Sequence, residues 1–204
     1  MNSLKNLVHK DINLCNSDES YKDILFEGHV DNNINLESIS FEKCVFDNID
    51  FNKIKFDDVT FIDVIFKNCD LSNLKFDKQY FNKVIFENCK LMGCSFIESF
   101  FKNVTFNECN SNYANYYGSK INNLAINNCS FCDSCFSESE FKNVTFNEVD
   151  FTNSEFLRTH LEHIDFSNSN ISGIATDMYS IRGMEINIYQ CKILANLFGV
   201  IVKE

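Results

Sequence analysis

Proline and tryptophan are absent from the sequence, and no uninterrupted run of 18 apolar residues occurs. We therefore expect no membrane-spanning helix. The N-terminal segment MNSLKNLVHKDINL also lacks the apolar stretch of a signal peptide. These absences favour a cytoplasmic protein, in which the ten cysteines are thiols, ligands or packing groups rather than a disulfide framework.

Basic residues are in deficit, because 18 Lys and Arg stand against 29 Asp and Glu and the net charge is −11. Such a chain is repelled by nucleic acid and by anionic membranes, so we expect it to bind neither directly. A partner protein with a basic surface is favoured instead.

What the sequence has in excess is phenylalanine, and 19 of its 22 phenylalanines recur with a period of five. Between residues 41 and 171, 26 of the 27 positions spaced five apart are large and apolar, and Ser111 is the exception. Neither an α-helix nor a plain strand points residues five apart to one side. A period of five is explained if the chain turns a corner every five residues and points one large side chain inward from each side. Four such sides make a coil of about 20 residues, and successive coils stack at a spacing of about 4.8 Å.

A second column supports this geometry, because a small residue, often Cys, Ser, Ala or Val, stands two positions before most of the large ones. Residues i−2 and i share one face of a strand, so both columns point inward. Six of the ten cysteines lie in the small column and are interpreted as core residues. The other three columns are polar and rich in Asn and Asp, which suit corners.

This pattern resembles the pentapeptide-repeat family, whose A(D/N)LXX motif has Phe or Leu at its centre. The resemblance covers residues 21–186 and implies an all-β fold, a right-handed quadrilateral β-helix. Residues 1–20 lack the period and are assigned to an N-terminal cap or tail. Asp31 and Ser111 do not suit the core column, so residues 28–35 and the stretch around Ser111 are the candidates for projecting loops.

Residues 187–204 form a separate element, because the apolar period becomes helical from Cys191 to Phe198. Asn187 suits the N-cap of this helix and Gly199 its C′ position, and residues 200–202 are predicted to form a short strand. A lid over the end of the solenoid needs less apolar surface, so self-association is favoured. The predicted homodimer interface comprises Tyr189, Leu194, Leu197, Phe198, Val200 and Ile201.

The segment IRGMEINIYQCKILANLFGVIV resembles the C-terminus of the Qnr group of pentapeptide-repeat proteins. Ile181, Arg182 and Gly183 match its IRG element, and Tyr189 and Gln190 match its Tyr-Gln pair; SNYANYYGSK is similar as well. The resemblance implies a dimeric rod that imitates duplex DNA, binds DNA gyrase or topoisomerase IV, and protects them from quinolones.

Many Qnr proteins use two projecting loops for protection, whereas this sequence keeps one register from Phe41 to Ile171. It is similar in this respect to loop-poor relatives such as MfpA, some of which inhibit gyrase more clearly than they protect it. Protection and inhibition therefore both stay open.

Acidic residues are unevenly distributed, since residues 127–170 carry a net charge of −6 and residues 41–110 only −2. A dimer joined at its C-termini brings two acidic regions to the centre of a rod, where a DNA-binding surface would meet them. The predicted partner-binding surface comprises Asp133, Glu138, Glu140, Glu148, Asp150, Glu155, Glu162 and Asp165.

Two other groups are weaker candidates. Cys132 and Cys135 form a C-x-x-C, and His160 and His163 lie three apart, but both pairs fall in outward columns and no second cysteine pair stands at zinc-finger spacing. P-loop, GxGxxG and GxSxG motifs do not occur. We expect no enzyme, no metal and no cofactor; the alternative function is a structural or scaffold module for an unrelated protein partner.

Overall fold

Residues 7–203 are described by a computed structural model of the chain. Its elements are β1 Val8–Asp11, a 3-10 helix Ile12–Leu14, β2 Ser20–Lys22, β3 Ile24–Glu27, β4 Ile34–Glu42, β5 Val45–Asp47, β6 Ile54–Lys67, β7 Tyr80–Glu87, β8 Phe100–Asn107, β9 Lys120–Asn127, β10 Glu140–Asn147 and α1 Gln190–Leu197. The strands pair in parallel, and Phe61 lies opposite Phe81 and Phe86 opposite Phe106, so that equivalent positions of successive coils are aligned. The predicted all-β, four-sided solenoid with a C-terminal helix is confirmed.

Most corners are made by a residue two positions after a core residue, and this corner residue adopts a left-handed backbone. The φ angle is 62° at Asn73 and 51° at Asn88, but also 56° at Lys83. Asn tolerates this region, whereas Lys is held there by the coil around it. Some sides close as type II turns, as where Leu74 N donates to Leu71 O at 3.2 Å, and the other sides run as strands.

The core is a set of stacked aromatic columns. The rings of Phe46, Phe66, Phe86 and Phe106 follow one another at centroid distances of 5.0, 5.0 and 4.7 Å. Each such side chain is removed from water, which stabilises the fold by about 1.5–3 kcal/mol per residue. The small column is buried too, since Cys44, Cys69, Cys89, Cys94, Cys109 and Cys129 all belong to the core. The inward assignment of both columns is confirmed.

Ser111, the exception in the core column, is fully buried and its Oγ lies 2.8 Å from the hydroxyl of Tyr116. The small serine leaves room for a phenol in the core and gives it a hydrogen-bond partner. At the other irregular site Val30 is buried in place of Asp31, and pairing resumes with Ile34 opposite Ile54. Neither segment projects as an inserted loop.

The described part of the segment predicted as a cap or tail is folded against the first coil. Strand β1 pairs with β3, with Val8 opposite Ile24, and Ile12 is fully buried. Residues 1–6 lie outside the described residues. No helix among residues 7–203 is long and apolar enough to cross a membrane.

The last coils are built differently, because strands give way to turns after β10. Ile164 N donates to Leu161 O at 3.1 Å, and Ser169 N to Phe166 O at 2.9 Å, where earlier coils have strands. Strand β10 consequently has β9 as its partner and none on its other edge within the described chain. Phe141 of β10 is only half-buried, although its column predicts a core residue.

Candidate partner-binding surface

The eight predicted acids surround the C-terminal coils, and we call them the acidic collar. All are exposed except Asp150, which is half-buried. Glu138 and Glu148 project from left-handed corners with φ of 59° and 53°. Because each coil has four sides, and the eight positions differ in their place along the coil, they fall on all four sides of the solenoid. The collar is therefore a belt around the circumference rather than a single patch.

Glu138 is the most strongly tied member of the collar. Arg158 donates to its Oε1 from Nε at 2.8 Å and from Nη2, and the hydroxyl of Tyr117 donates to its Oε2. The hydrogen bond from Tyr117, followed by that from Arg158, holds the pKa of Glu138 below its usual value. Glu138 is thus ionised at neutral pH, but Arg158 offsets its charge.

Asp150 and Asp165 stabilise turns as well as carrying charge. Burial opposes ionisation of Asp150, but hydrogen bonds from Thr152, including N to Oδ1 at 3.0 Å, outweigh it and lower the pKa. Asp165 accepts from Ser167 N at 2.7 Å, and the side chain of Ser167, followed by this backbone contact, lowers the pKa of Asp165. Both side chains are carboxylates at neutral pH.

The other collar acids are less constrained. Glu148 and Glu155 have no ion pair or hydrogen bond from the side chain to any described residue. Glu140 lies 3.6 Å from Lys120, and Asp133 accepts from an asparagine amide at 3.3 Å. Glu162 lies 4.0 Å from the ring of a neighbouring histidine. Most of the collar charge is consequently available to a partner.

The coils formed by residues 41–110, here called the N-terminal coils, neutralise their acids along the stack. A lysine and a carboxylate one coil apart pair at 3.6 Å in Lys78–Glu98 and Lys90–Asp70, and at 4.0 Å in Lys67–Glu87. Each pair follows from the regular length of the coil, which sets equivalent positions one above the other. The C-terminal coils have fewer cations to do this.

The two regions differ in charge per unit length. With coils about 4.8 Å apart, a net −6 over residues 127–170 corresponds to one charge per about 1.8 Å of axis, close to the about 1.7 Å of duplex DNA. The net −2 of residues 41–110 corresponds to one per about 8 Å by the same spacing. The net negative charge is therefore concentrated in the coils formed by residues 127–170.

The C-terminal helix is fastened to the end of the stack by Asn187 and Gln190. Asn187 Oδ1 accepts from Gln190 N at 3.1 Å, and Gln190 Oε1 accepts from Asn187 N at 2.8 Å, a reciprocal capping box. The amide of the buried Gln190 also donates to Phe166 O and Ser169 O, at 2.8 and 2.7 Å. Gln190 thereby closes the last coil, and the predicted capping role of Asn187 is confirmed.

The helix ends as the sequence predicts. Gly199 has φ of 77°, and Val200 N donates to Ala195 O at 2.9 Å while Gly199 N donates to Asn196 O at 3.0 Å. This is a Schellman motif with glycine at C′. The strand predicted for residues 200–202 is not formed in the single described chain, because no neighbouring strand pairs with it there.

Most of the residues predicted to form a dimer interface are exposed. Tyr189 and Ile201 are 86% and 84% exposed, and Leu197, Phe198 and Val200 are exposed as well. Leu194 is different, because it is partly buried and packs against the core of the solenoid. The helix therefore has one side on the last coil and an uncovered apolar side.

The weaker candidates do not come together as a site. Cys132 and Cys135 are half-buried in successive sides of a coil, and Cys132 Sγ contacts a serine hydroxyl at 3.4 Å. His160 packs on Tyr179 with ring centroids 4.2 Å apart, and His163 is exposed. Among residues 7–203 no group of three or more His, Cys, Asp or Glu side chains is arranged to hold a metal ion.

Two family models match the repeat. The model for the pentapeptide repeat region matches residues 61–130, and the model for pentapeptide repeats, in eight copies, matches residues 34–73 and 134–173. Together they span more than half of the chain. The chain belongs to the pentapeptide-repeat family. No curated protein matches this pentapeptide-repeat sequence.

This chain is similar to solved structures of other pentapeptide-repeat proteins. HetL of Nostoc sp. strain PCC 7120, described as involved in heterocyst differentiation regulation, is 8% identical, with 84% of this chain and 88% of that chain covered and a TM-score of 0.56. QnrB1, described as a plasmid-mediated fluoroquinolone resistance protein, is 18% identical over 93% of this chain and 99% of that one, with a TM-score of 0.38. The HetL match supports the solenoid fold.

Two structural features of this pentapeptide-repeat protein were not identified from the residue pattern. The inward role of Gln190 has no signal in the five-residue period, and only its place in the Tyr-Gln pair pointed to it. The bond between Ser111 and Tyr116 could be suspected because a hydroxyl at a core position needs a partner, and the next core residue supplies one.

Proposed function

We propose that this pentapeptide-repeat protein binds DNA gyrase or topoisomerase IV in place of duplex DNA. The observation that carries the proposal is the charge density of the coils that bear the acidic collar, one net charge per about 1.8 Å of axis over residues 127–170. A cationic surface that accommodates the phosphates of DNA meets a similar density of carboxylates here. The Qnr-like C-terminal segment points to the same class of partner.

The proposed active form is a dimer joined through the uncovered side of α1 and residues 200–202. Exposed apolar residues on the end of a rod are the usual mark of an interface. In the dimer, two strands from residues 200–202 would supply the backbone partners that each lacks alone. Two collars then lie on either side of the junction, which lengthens the DNA-like stretch.

The binding proposal is tested with purified gyrase and a matched pair of charge variants. The collar variant carries Asp133→Asn, Glu148→Gln and Glu155→Gln. These changes remove three exposed charges, and none of the three side chains takes part in an ion pair of the described chain. The control variant carries the same number of changes in the balanced part of the chain. Its substitutions are Asp57→Asn, Asp58→Asn and Glu108→Gln.

We expect binding of the native protein to weaken as salt rises and to be competed by duplex DNA, because surface charges are screened beyond about 8–10 Å at physiological ionic strength. The collar variant is expected to bind at least about tenfold more weakly, mainly through slower association, while the control changes little. Equal losses in the two variants, or binding that is insensitive to salt, would leave a scaffold for an unrelated partner as the better explanation.

The dimer is tested separately, with α1 kept in place because Gln190 closes the last coil. Val200→Glu with Ile201→Glu is expected to give a folded monomer in light scattering, since both side chains are exposed. Val8→Glu, at the opposite end and 67% exposed, is the control. A dimer that survives the double substitution would show that the interface lies elsewhere.

Protection and inhibition are separated by supercoiling assays with and without a quinolone. Protection predicts that supercoiling in the presence of drug rises when the protein is added. Inhibition predicts that supercoiling falls without drug. Absence of both effects, with binding retained, would limit the function to association.

A further inference from the structure

The hydrogen-bond ladder between coils is interrupted at one place in the N-terminal coils. On one side of the solenoid, the amide of each core residue donates to a carbonyl of the next coil, as in Phe76 N to Ser95 O and Phe96 N to Asn115 O, both at 2.7 Å. The equivalent bond from Phe56 N to Lys75 O is not formed. Nor does Lys75 N donate to the preceding coil, although its counterpart in the next coil, Ser95 N, donates to Leu74 O at 2.9 Å.

The interruption arises because two kinds of side meet. In the earlier coils this side is a strand, with Ile34 of β4 opposite Ile54 of β6, and in the later coils it is a type II turn. The corner residue Asn73 is left-handed, but its counterpart Lys53 is not. The amine of Lys53 instead donates to two carbonyls of the preceding irregular segment, both at 3.1 Å. Strand and turn cannot stay in register, so the coils separate locally.

The separation leaves a cleft of about 550 Å³ on the surface of the solenoid. Its floor is apolar and made by Ile54, Phe56 and Leu74, which are 1%, 9% and 8% exposed. Sites for small molecules in proteins have volumes of about 300–1,000 Å³ and combine such a floor with a few polar groups. The cleft has the size and the lining of a ligand site.

The rim of the cleft is cationic on an otherwise acidic protein. Lys55 and Lys75 occupy equivalent positions in successive coils, and both line the cleft with exposed side chains. Neither pairs with a carboxylate of the described chain, in contrast to Lys78 and Lys90. The carboxylate of Asp77 accepts from Ile97 N of the next coil at 3.0 Å and is directed away.

We propose that this cleft binds a small organic anion, a flat apolar body that bears one carboxylate. The body lies on the floor of Ile54, Phe56 and Leu74, and the carboxylate accepts hydrogen bonds from the amines of Lys55 and Lys75. The backbone amides of Phe56 and Lys75, which lack a partner in the next and the preceding coil, are further donors at the same level. This site is separate from the acidic collar and does not depend on topoisomerase binding.

The probe for this site is 2-naphthoate, with 2-naphthamide as an uncharged compound of the same shape. Binding is followed by amide chemical shifts in the full-length protein. We expect naphthoate to shift the amides of Phe56 and Lys75, and naphthamide to bind at least about tenfold more weakly, a difference of about 1.4 kcal/mol. Hydrogen exchange of these two amides, fast in the free protein, should slow when naphthoate is bound.

The matched variants are Lys55→Gln with Lys75→Gln, and Lys102→Gln with Lys142→Gln as the control. The first is expected to lose naphthoate binding by about tenfold or more, and the control by less than about twofold. Leu74→Ala, which removes part of the floor, should weaken both probes. Equal affinity for the two probes, unchanged binding by the Lys55 and Lys75 variant, or shifts confined to the exposed apolar residues 197–202 would overturn the proposal.

Discussion

The N-terminal and C-terminal coils have the same core and different surfaces. In both, phenylalanine rings stack along the axis, as Phe66 on Phe86 at 5.0 Å and Phe136 on Phe156 at 5.1 Å. Outside, lysines one coil apart from carboxylates neutralise the N-terminal coils, while residues 127–170 keep a net charge of −6. The outward columns can therefore change in charge while the inward columns keep the fold.

This difference shows where function can be located in such a solenoid. Two columns of five are occupied by packing, and the remaining three can vary because each outward residue contacts mainly its counterparts one coil before and after. The collar and the lysine-rimmed cleft are two independent uses of that freedom. They lie in different coils and have opposite charge.

If the core is equivalent in the two regions, truncating a core side chain should lower the free energy of unfolding by the same amount in both. Phe86→Ala and Phe136→Ala are each expected to lower the free energy of unfolding by about 3–5 kcal/mol, because the stacked coils cannot close the cavity. Phe141→Ala should cost less, since Phe141 is half-buried. Urea titrations measure all three. The outward control Asn88→Asp, at a left-handed corner, should cost under about 0.5 kcal/mol; a loss near that of Phe86→Ala would contradict the inward and outward assignment.

The C-terminal end depends on one side chain in a way that the N-terminal coils do not. Gln190→Ala leaves the carbonyls of Phe166 and Ser169 without their donor, and we expect a loss of about 1–3 kcal/mol. Hydrogen exchange should show the loss confined to α1 and the last coil. The exposed Asn196→Ala serves as control, and protection lost equally in β6 and β7 would mean that the last coil is not a separate unit.

The smallest difference that we expect between the C-terminal and the N-terminal coils is in how their ion pairs contribute to stability in acid. The pKa of Glu138 is lowered in the fold, so its contribution is present above its unfolded pKa of about 4.3 and is lost as the pH falls through the folded pKa. Removing its partners with Tyr117→Phe and Arg158→Gln should make the loss of stability shallower as the pH falls below about 4.3.

Lys90→Gln, beside Asp70, is the N-terminal counterpart. For Asp70, burial opposes ionisation and the bonds from Ser72 outweigh it, so Lys90 contributes less to its lowered pKa. The dependence of the free energy of unfolding on pH in acid should therefore change less for Lys90→Gln than for the variant with Tyr117→Phe and Arg158→Gln. Urea midpoints across this pH range provide the measurement, and a reversed order would refute this account of the two pairs.

The sequence was sufficient for the parts of the fold that repeat. A large residue every fifth position specifies the core columns without knowledge of any neighbour, and Gly199 and Asn187 act within the helix they flank. The regular length of the coil even predicts pairs such as Lys78–Glu98. The dimer interface and the partner remain predictions.

Other features depend on neighbouring coils and could not be predicted. Lys53 and Asn73 occupy the same column, yet only Asn73 is left-handed, because Lys53 is held by the irregular segment before it. The half-burial of Phe141 likewise has no signal in the five-residue period, which places it in the core column. A five-residue period predicts which residues face the core. It does not predict whether the same side of two successive coils is a strand or a type II turn.

The interruption beside Phe56 also affects how the protein folds and unfolds. In a linear repeat protein, cooperativity passes only between adjacent coils, so the interface with the fewest hydrogen bonds is where the chain divides into blocks. The coils before Lys55 and those after Lys75 stay joined there through the pairing of Phe61 with Phe81 and its neighbours on the other sides. Under a stretching force along the axis, this junction and the unpaired outer edge of β10 are the places where the rod would separate first.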